Sequence, residues 1–264
     1  MAEVALDLDV ERHCADFERQ GYSLVPGVVA EPEITELRDA VTTALDADWD
    51  RYRHLPGKER FIALDLAHYG GPFFRLLEND VIDRLFGAIL GEFWTLYSFT
   101  STVAIAHLDQ YTAKIHTDTH RLSPGYPLGA VITIALDEFT NENGATYYLP
   151  RSHVTSPERP NEDEFYAGAV RVCRQAGDAV FFSPRVWHAG GVNSTDRDRS
   201  GLTVYGCRSF MKPRYDFPRL IDPALLDGAS DRLRRVLGFD VRVPSAMDEF
   251  YRPPEQRLYK AGQG

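Results

Sequence analysis

Apolar residues recur at helical spacing through the first third of the chain, and the middle breaks into short apolar runs bounded by turn residues. That change of pattern divides the sequence. Val10 to Gln20 reads as a helix that stops at Gly21, followed by the short extended piece YSLVPGVV. The run EPEITELRDAVTTALDADW puts Ile34, Leu37, Val41 and Leu45 on one helical face. Residues 50 to 75, rich in Arg, His, Gly and Pro, read as an irregular connection, and Phe73 to Leu90 as one further helix. From Phe93 the chain is dense in β-branched and aromatic residues: FWTLYSFTSTVAIAHL, LGAVITIAL, ATYYL, AVRVC, DAVFF and GLTVYGCRSF. Turn-forming stretches such as SPGYP, TNENG and NSTDRD separate them. Many short strands with such punctuation predict a mostly-β sandwich or jelly roll flanked by helices. The division expected is one domain over 1–264: helices in 10–90, the β core in about 93–210, and a tail in 211–264 folded over one end.

Composition narrows the partners. A hydrophobic content of 44% is ordinary for a globular core. A formal charge of −10 opposes nucleic acid or an anionic membrane as the main partner and leaves a small molecule as the expected one. Cys14, Cys173 and Cys207 are odd in number and form no CxxC pair, which fits a reducing, cytoplasmic setting. The acidic start MAEVALDLDVERH lacks the apolar run of a signal peptide, and no stretch approaches eighteen uninterrupted apolar residues.

The chemistry concentrates in KIHTDTHR, residues 114–121, where His116, Asp118 and His120 fall at every second position. On an extended strand these three side chains share one face. Two histidines and one carboxylate on one face of an octahedron define the 2-His-1-carboxylate site of non-haem iron oxygenases, with the opposite face open. If all three side chains bound the metal and a distant histidine joined them, a chelating oxo acid and dioxygen could not both fit. His-x-Asp and Asp-x-His are mirror choices by spacing alone. His188, just before a Gly-Gly pair that allows close backbone approach, is the candidate distant ligand.

HTDTH, the distal HAGGVN and an arginine eleven residues beyond His188 resemble the phytanoyl-CoA dioxygenase-like family of Fe(II)/2-oxoglutarate-dependent oxygenases. NGATYYLPRSH and the opening FERQGYSLVPGVV are similar to that family's as well, so the resemblance spans about residues 10 to 210. It implies a double-stranded β-helix core of the cupin-like, jelly-roll kind. It implies iron held by His116, Asp118 and His188, with 2-oxoglutarate and dioxygen as co-substrates. Arg199 would take the far carboxylate of 2-oxoglutarate, matching two oxygens with its planar fork. Thr133 falls where the family often places another co-substrate contact. His120, Arg121 and Trp187 are then candidates to face the substrate. Gly190 stands where the family often has a serine, and that hydrogen bond must come from elsewhere. The reaction implied is hydroxylation of an unactivated C–H bond in a small metabolite or natural-product intermediate, releasing succinate and carbon dioxide. Desaturation, epoxidation and ring formation are the alternatives.

The remaining histidines, His13, His54, His68, His107 and His153, read as structural. A zinc hydrolase would leave the arginine unexplained, and HTDTH is not the helical HExxH pattern. A non-catalytic jelly roll that binds a small ligand is the other rival. Residues 50 to 75 and the tail past Met211 are candidate lids.

Overall fold

The computed structural model describes residues 8–108, 113–119, 125–155 and 158–259. Helix α1 (Val10–Gln20) is capped by Asp9, whose carboxylate accepts from the Arg12 amide, and ends at Gly21 in the left-handed region at φ 94°. Strand β1 (Tyr22–Val25) follows, and then α2 (Glu31–Tyr52), which buries Ile34, Leu37, Val41 and Ala44.

The single helix expected over Phe73–Leu90 is two. Helix α3 (Pro72–Leu77) stops, and α4 (Asp80–Leu90) starts afresh at Asn79, whose side chain accepts from the amides of Val81 and Ile82. A capping asparagine outcompetes helix continuation because its side-chain oxygen satisfies the orphan amides of the first turn. Residues 50–75 are also more ordered than expected. They hold strand β2 (Ile62–Ala63), which extends the large sheet, and Leu66 and Ala67 are fully buried.

The core strands are β3 (Thr95–Ala104), β4 (Gly129–Ala135), β7 (Ala179–Phe182) and β9 (Arg199–Cys207). With β1 and β2 they form a six-stranded antiparallel sheet of order β1-β7-β4-β9-β3-β2. Opposite it lie β5 (Tyr147–Tyr148), β6 (Val170–Arg171) and β8 (His188–Ala189), in the order β6-β5-β8. This is a jelly roll, cupin-like and flanked by helices.

Period-two alternation sorts the large sheet's side chains. Ala130, Ile132, Ile134, Ala179, Phe181, Leu202 and Val204 pack against the helices in the main core. Their neighbours Val131, Val180, Phe182 and Tyr205 face the small sheet. On β3 the rule breaks between Leu96 and Ser98, where a bulge shifts the register. Leu96 and Phe99, three apart, therefore share the core face.

The tail packs on the helix side of the large sheet. Phe217, Ile221, Leu226, Leu233 and Val236 join the helix-side core, and Arg235 pairs with Asp83 of α4 at 2.9 Å. No helix among the described residues is long and apolar enough to cross a membrane.

Candidate metal centre and its basic pocket

Residues 113–119 are not a regular strand. His116 makes an isolated antiparallel bridge to His188, each donating its amide to the other's carbonyl at 3.0 Å. Two residues on, the amides of Asp118 and Thr119 both donate to the carbonyl of Pro184, at 2.8 and 3.1 Å. The turn between β7 and β8 thus fixes both ends of the His-x-Asp segment. The bridge adds a fourth rung to the small sheet, where Tyr148 lies opposite His188. Alternation points Ile115 and Trp187 outwards, into a cluster with Phe165 and Ala189, while the two imidazoles point inwards.

The inward side chains converge. The ring centroids of His116 and His188 are 4.2 Å apart, and each Nε2 stands 3.8 Å from the same Oδ1 of Asp118. His116 Nδ1 donates to the carbonyl of Lys114 at 2.7 Å, and His188 Nδ1 to that of Val186 at 2.9 Å. These bonds fix both tautomers and leave each Nε2 lone pair free, which is how a metal-ligating imidazole is held. Burial first, then His116, pushes His188 down to about 4, against the pull of Asp118, so its ring is neutral and ready to ligate. The three ligand atoms lie within 4.8 Å of one another. Cis ligands at metal bonds of about 2.1 Å stand about 3 Å apart, so a bound ion needs only a small inward movement of each side chain. Two imidazoles and one carboxylate are a donor set that fits ferrous iron.

Behind these groups lies a cavity of about 190 Å³ lined by Thr133, Phe139, Tyr148, Gly190 and Arg199, among others. Tyr148 is fully buried and stacks on His188 with centroids 5.8 Å apart and planes 20° apart. Its hydroxyl lies 3.4 Å from Thr133 Oγ1. Arg199, the first residue of β9, is buried, with Cζ 3.7 Å from the centre of the Phe139 ring. One Nη donates to the Gly144 carbonyl at 3.1 Å, and its Nε has no partner among the described residues. Gly144 has to be glycine here: its φ is +85°, and a Cβ would stand 2.4 Å from the Gly191 carbonyl oxygen. Gly201, two residues along β9, lets the Phe139 ring seat against the strand, 3.0 Å from where a Cβ would be.

The structure brings together His116, Asp118, His188, Thr133 and Arg199. His120 and Arg121 lie outside the described residues. Trp187, expected beside the substrate, does not line the cavity. Adjacent residues on a strand face opposite ways, so an inward His188 forces Trp187 outwards, where it is 4% exposed among apolar neighbours. Residues 50–75 do not line the cavity either, whereas Met211 lines an adjoining one of about 370 Å³ together with Thr119, Pro184 and Arg185.

Among the lining residues that sequence patterns leave without a role are Tyr148, on a strand, and Arg174. The signal for Arg174 was present: it follows the inward-facing Val172 at a spacing of two, which places a guanidinium on the apolar side of the sheet.

The Phytanoyl-CoA dioxygenase (PhyH) family model matches residues 17–201, a span that contains the His-Asp-His group and Arg199. The chain belongs to this family. It is an oxygenase of the dioxygenase kind, or a closely related oxidoreductase. It is 30% identical over 256 residues to the uncharacterized protein Rv1501 of Mycobacterium tuberculosis, covering 92% of either chain. Dioxygenase ALT11 of Alternaria alternata is 24% identical over 273 residues, 92% of this chain and 86% of that one. Among solved structures, the epimerase SnoN in complex with Fe3+, alpha ketoglutarate and nogalamycin RO aligns with a TM-score of 0.61 at 22% identity, over 84% of this chain and 91% of that one. That likeness is one of fold.

Proposed function

We propose that the chain is a 2-oxoglutarate-dependent dioxygenase that hydroxylates an unactivated C–H bond of a small metabolite or natural-product intermediate. His116, Asp118 and His188 would hold Fe(II), and Arg199 would bind the far carboxylate of 2-oxoglutarate, with Thr133 beside it. The observation that carries this reading is the convergence of the three ligand atoms at the mouth of a cavity whose other end holds a buried arginine. A bound carboxylate would complete the unsatisfied Nε of Arg199.

When bound, iron supplies the redox chemistry, coupling oxidative decarboxylation of 2-oxoglutarate by dioxygen, to succinate and carbon dioxide, with oxidation of the substrate C–H bond. The residues of this chain orient and exclude. The Lys114 and Val186 carbonyls hold both imidazoles with Nε2 inwards. Tyr148, Phe182 and Phe139 wall the cavity with rings and limit access of water. The adjoining cavity beside Thr119, next in sequence to Asp118, offers room for the primary substrate, with Arg185 as a polar contact. His120 and Arg121 stay in this reading as substrate-side groups. The same chemistry serves desaturation, epoxidation and ring formation, and substrate geometry selects among them. A role in secondary metabolism is consistent with the fold shared with an epimerase from nogalamycin biosynthesis. The acidic overall charge and the thiols, all three unpaired, support a cytoplasmic enzyme of small molecules over one of nucleic acid or membranes.

The test is anaerobic loading with Fe(II), then addition of 2-oxoglutarate and air with detection of succinate. Wild-type protein should release succinate, slowly alone and faster with the right metabolite. Asp118→Ala should lower that rate by more than about 100-fold, exceeding the loss from removing an outer partner of a metal ligand. An Asp118→Ala protein that turns over normally would remove Asp118 from the site.

A further inference from the structure

Arg199 is not the only cation in the cavity. Arg174 lies in the segment between β6 and β7, is 4% exposed, and is tied by a two-way backbone bridge to Phe139, at 2.8 and 3.0 Å. Its Cζ stands 3.9 Å from the centre of the Phe139 ring, against 3.7 Å for Arg199, so both guanidinium groups flank one ring. One Nη of Arg174 donates to Thr133 Oγ1 at 3.4 Å, and its Nε and other Nη have no partner among the described residues. The Nε of Arg199 is likewise unsatisfied.

Among the described residues no carboxylate makes a direct ion pair with either guanidinium, and Asp137 and Asp178 act on them only from farther off. Asp118 is the one acidic residue lining the cavity among the described residues, and it belongs to the metal group. The nearby Asp137 is engaged by Arg38 at 3.1 Å and by the amide of Ser200 at 2.7 Å. Asp178 accepts from the amides of Gly27 and Gln175. Burial and the mutual repulsion of the two guanidinium groups bring Arg199 down to about 9, and burial lowers Arg174 too. Buried like charges with idle donors need an anion. A carboxylate has about four acceptor positions on two oxygens, enough for the three unsatisfied N–H-bearing nitrogens of this pair.

We propose that Arg174 is a specificity-determining residue for the co-substrate, gripping its far carboxylate jointly with Arg199 so that the pocket selects a dicarboxylic 2-oxo acid. This rests on the reading of the site as one for a 2-oxo acid. The two arginines approach from different elements, β9 and the segment before β7, and Phe139 spaces them. Thr133, between Arg174 and the Tyr148 hydroxyl, extends the polar wall towards His188.

The experiment is anaerobic calorimetry on protein loaded with Mn(II), which does not turn over. It compares 2-oxoglutarate with 2-oxopentanoate, an acid of equal chain length that ends in a methyl group. Wild type should bind 2-oxoglutarate far more tightly. Arg174→Gln should weaken 2-oxoglutarate by about 10- to 100-fold, the worth of a charge-assisted contact, and change 2-oxopentanoate by less than about threefold. Arg174→Lys should recover part of the loss, and the Mn(II) affinity should match wild type in both. Undiminished 2-oxoglutarate binding in Arg174→Gln, or equal weakening of both acids, would overturn the proposal and leave Arg174 as packing for Phe139. Wild-type protein that binds Mn(II) but neither acid would instead bring down the underlying reading of the site.

Discussion

The two faces of the large sheet use the same strands for opposite ends. On the helix side, Ile132, Ile134, Phe181, Leu202 and Val204 are almost wholly buried and carry no polar side-chain atom. On the other side, one residue along in each strand, stand Thr133, Phe182, Arg199 and Thr203, and here donors are left unsatisfied. Close packing stabilises the first face. The second is costly for the free protein, because buried charge without a partner is unfavourable and is retained where a ligand completes it. Stability and chemistry are separated by a single step along the strand.

Substitutions that strike one face only should separate the two properties. The largest effect expected is Phe181→Ala. It removes a buried ring that packs on Phe17 and Phe86, and should cost about 3–5 kcal/mol in chemical denaturation. Metal binding per folded molecule should stay unchanged. Arg199→Met reverses the pattern. Its KM for 2-oxoglutarate should rise about 10- to 100-fold, while the denaturation midpoint holds or increases because a buried charge is gone.

The most gradual effect is on pH. His188 takes its proton at about 4 when folded and about 6.5 when unfolded. Between those values the unfolded chain holds more protons, so the stability of the metal-free protein should fall as pH drops through that window. Burial lowers His13 and His153 as well, so they contribute to the same slope. His188→Asn should flatten it, and an unchanged slope would show that His188 is not held neutral.

Much of this division was legible in the sequence. Runs of β-branched and aromatic residues located β3, β4, β7 and β9 to within a few residues, though not β2, and Gly21 marked the end of the first helix. HTDTH with a distal His and Arg, through the family resemblance, named the metal group. What local patterns hid was long-range. The split at Asn79 is a contest between a side-chain cap and helix continuation, and periodicity does not register it. KIHTDTH reads as a strand, yet its geometry comes from a single bridge to His188 and from the Pro184 carbonyl, some seventy residues away. Arg174 is a different case: its inward phase is local, set by Val172 two residues before, but an arginine breaks the apolar pattern by which such phases are recognised.

Central to the site is one ion held jointly by His116, Asp118 and His188. Its most direct test is anaerobic titration of the metal-free protein with Fe(II), alongside His116→Ala and His188→Ala of equal folded fraction. One equivalent should bind tightly to wild type and neither variant should retain it. Tight binding of a full equivalent to both variants would show that the ion sits elsewhere.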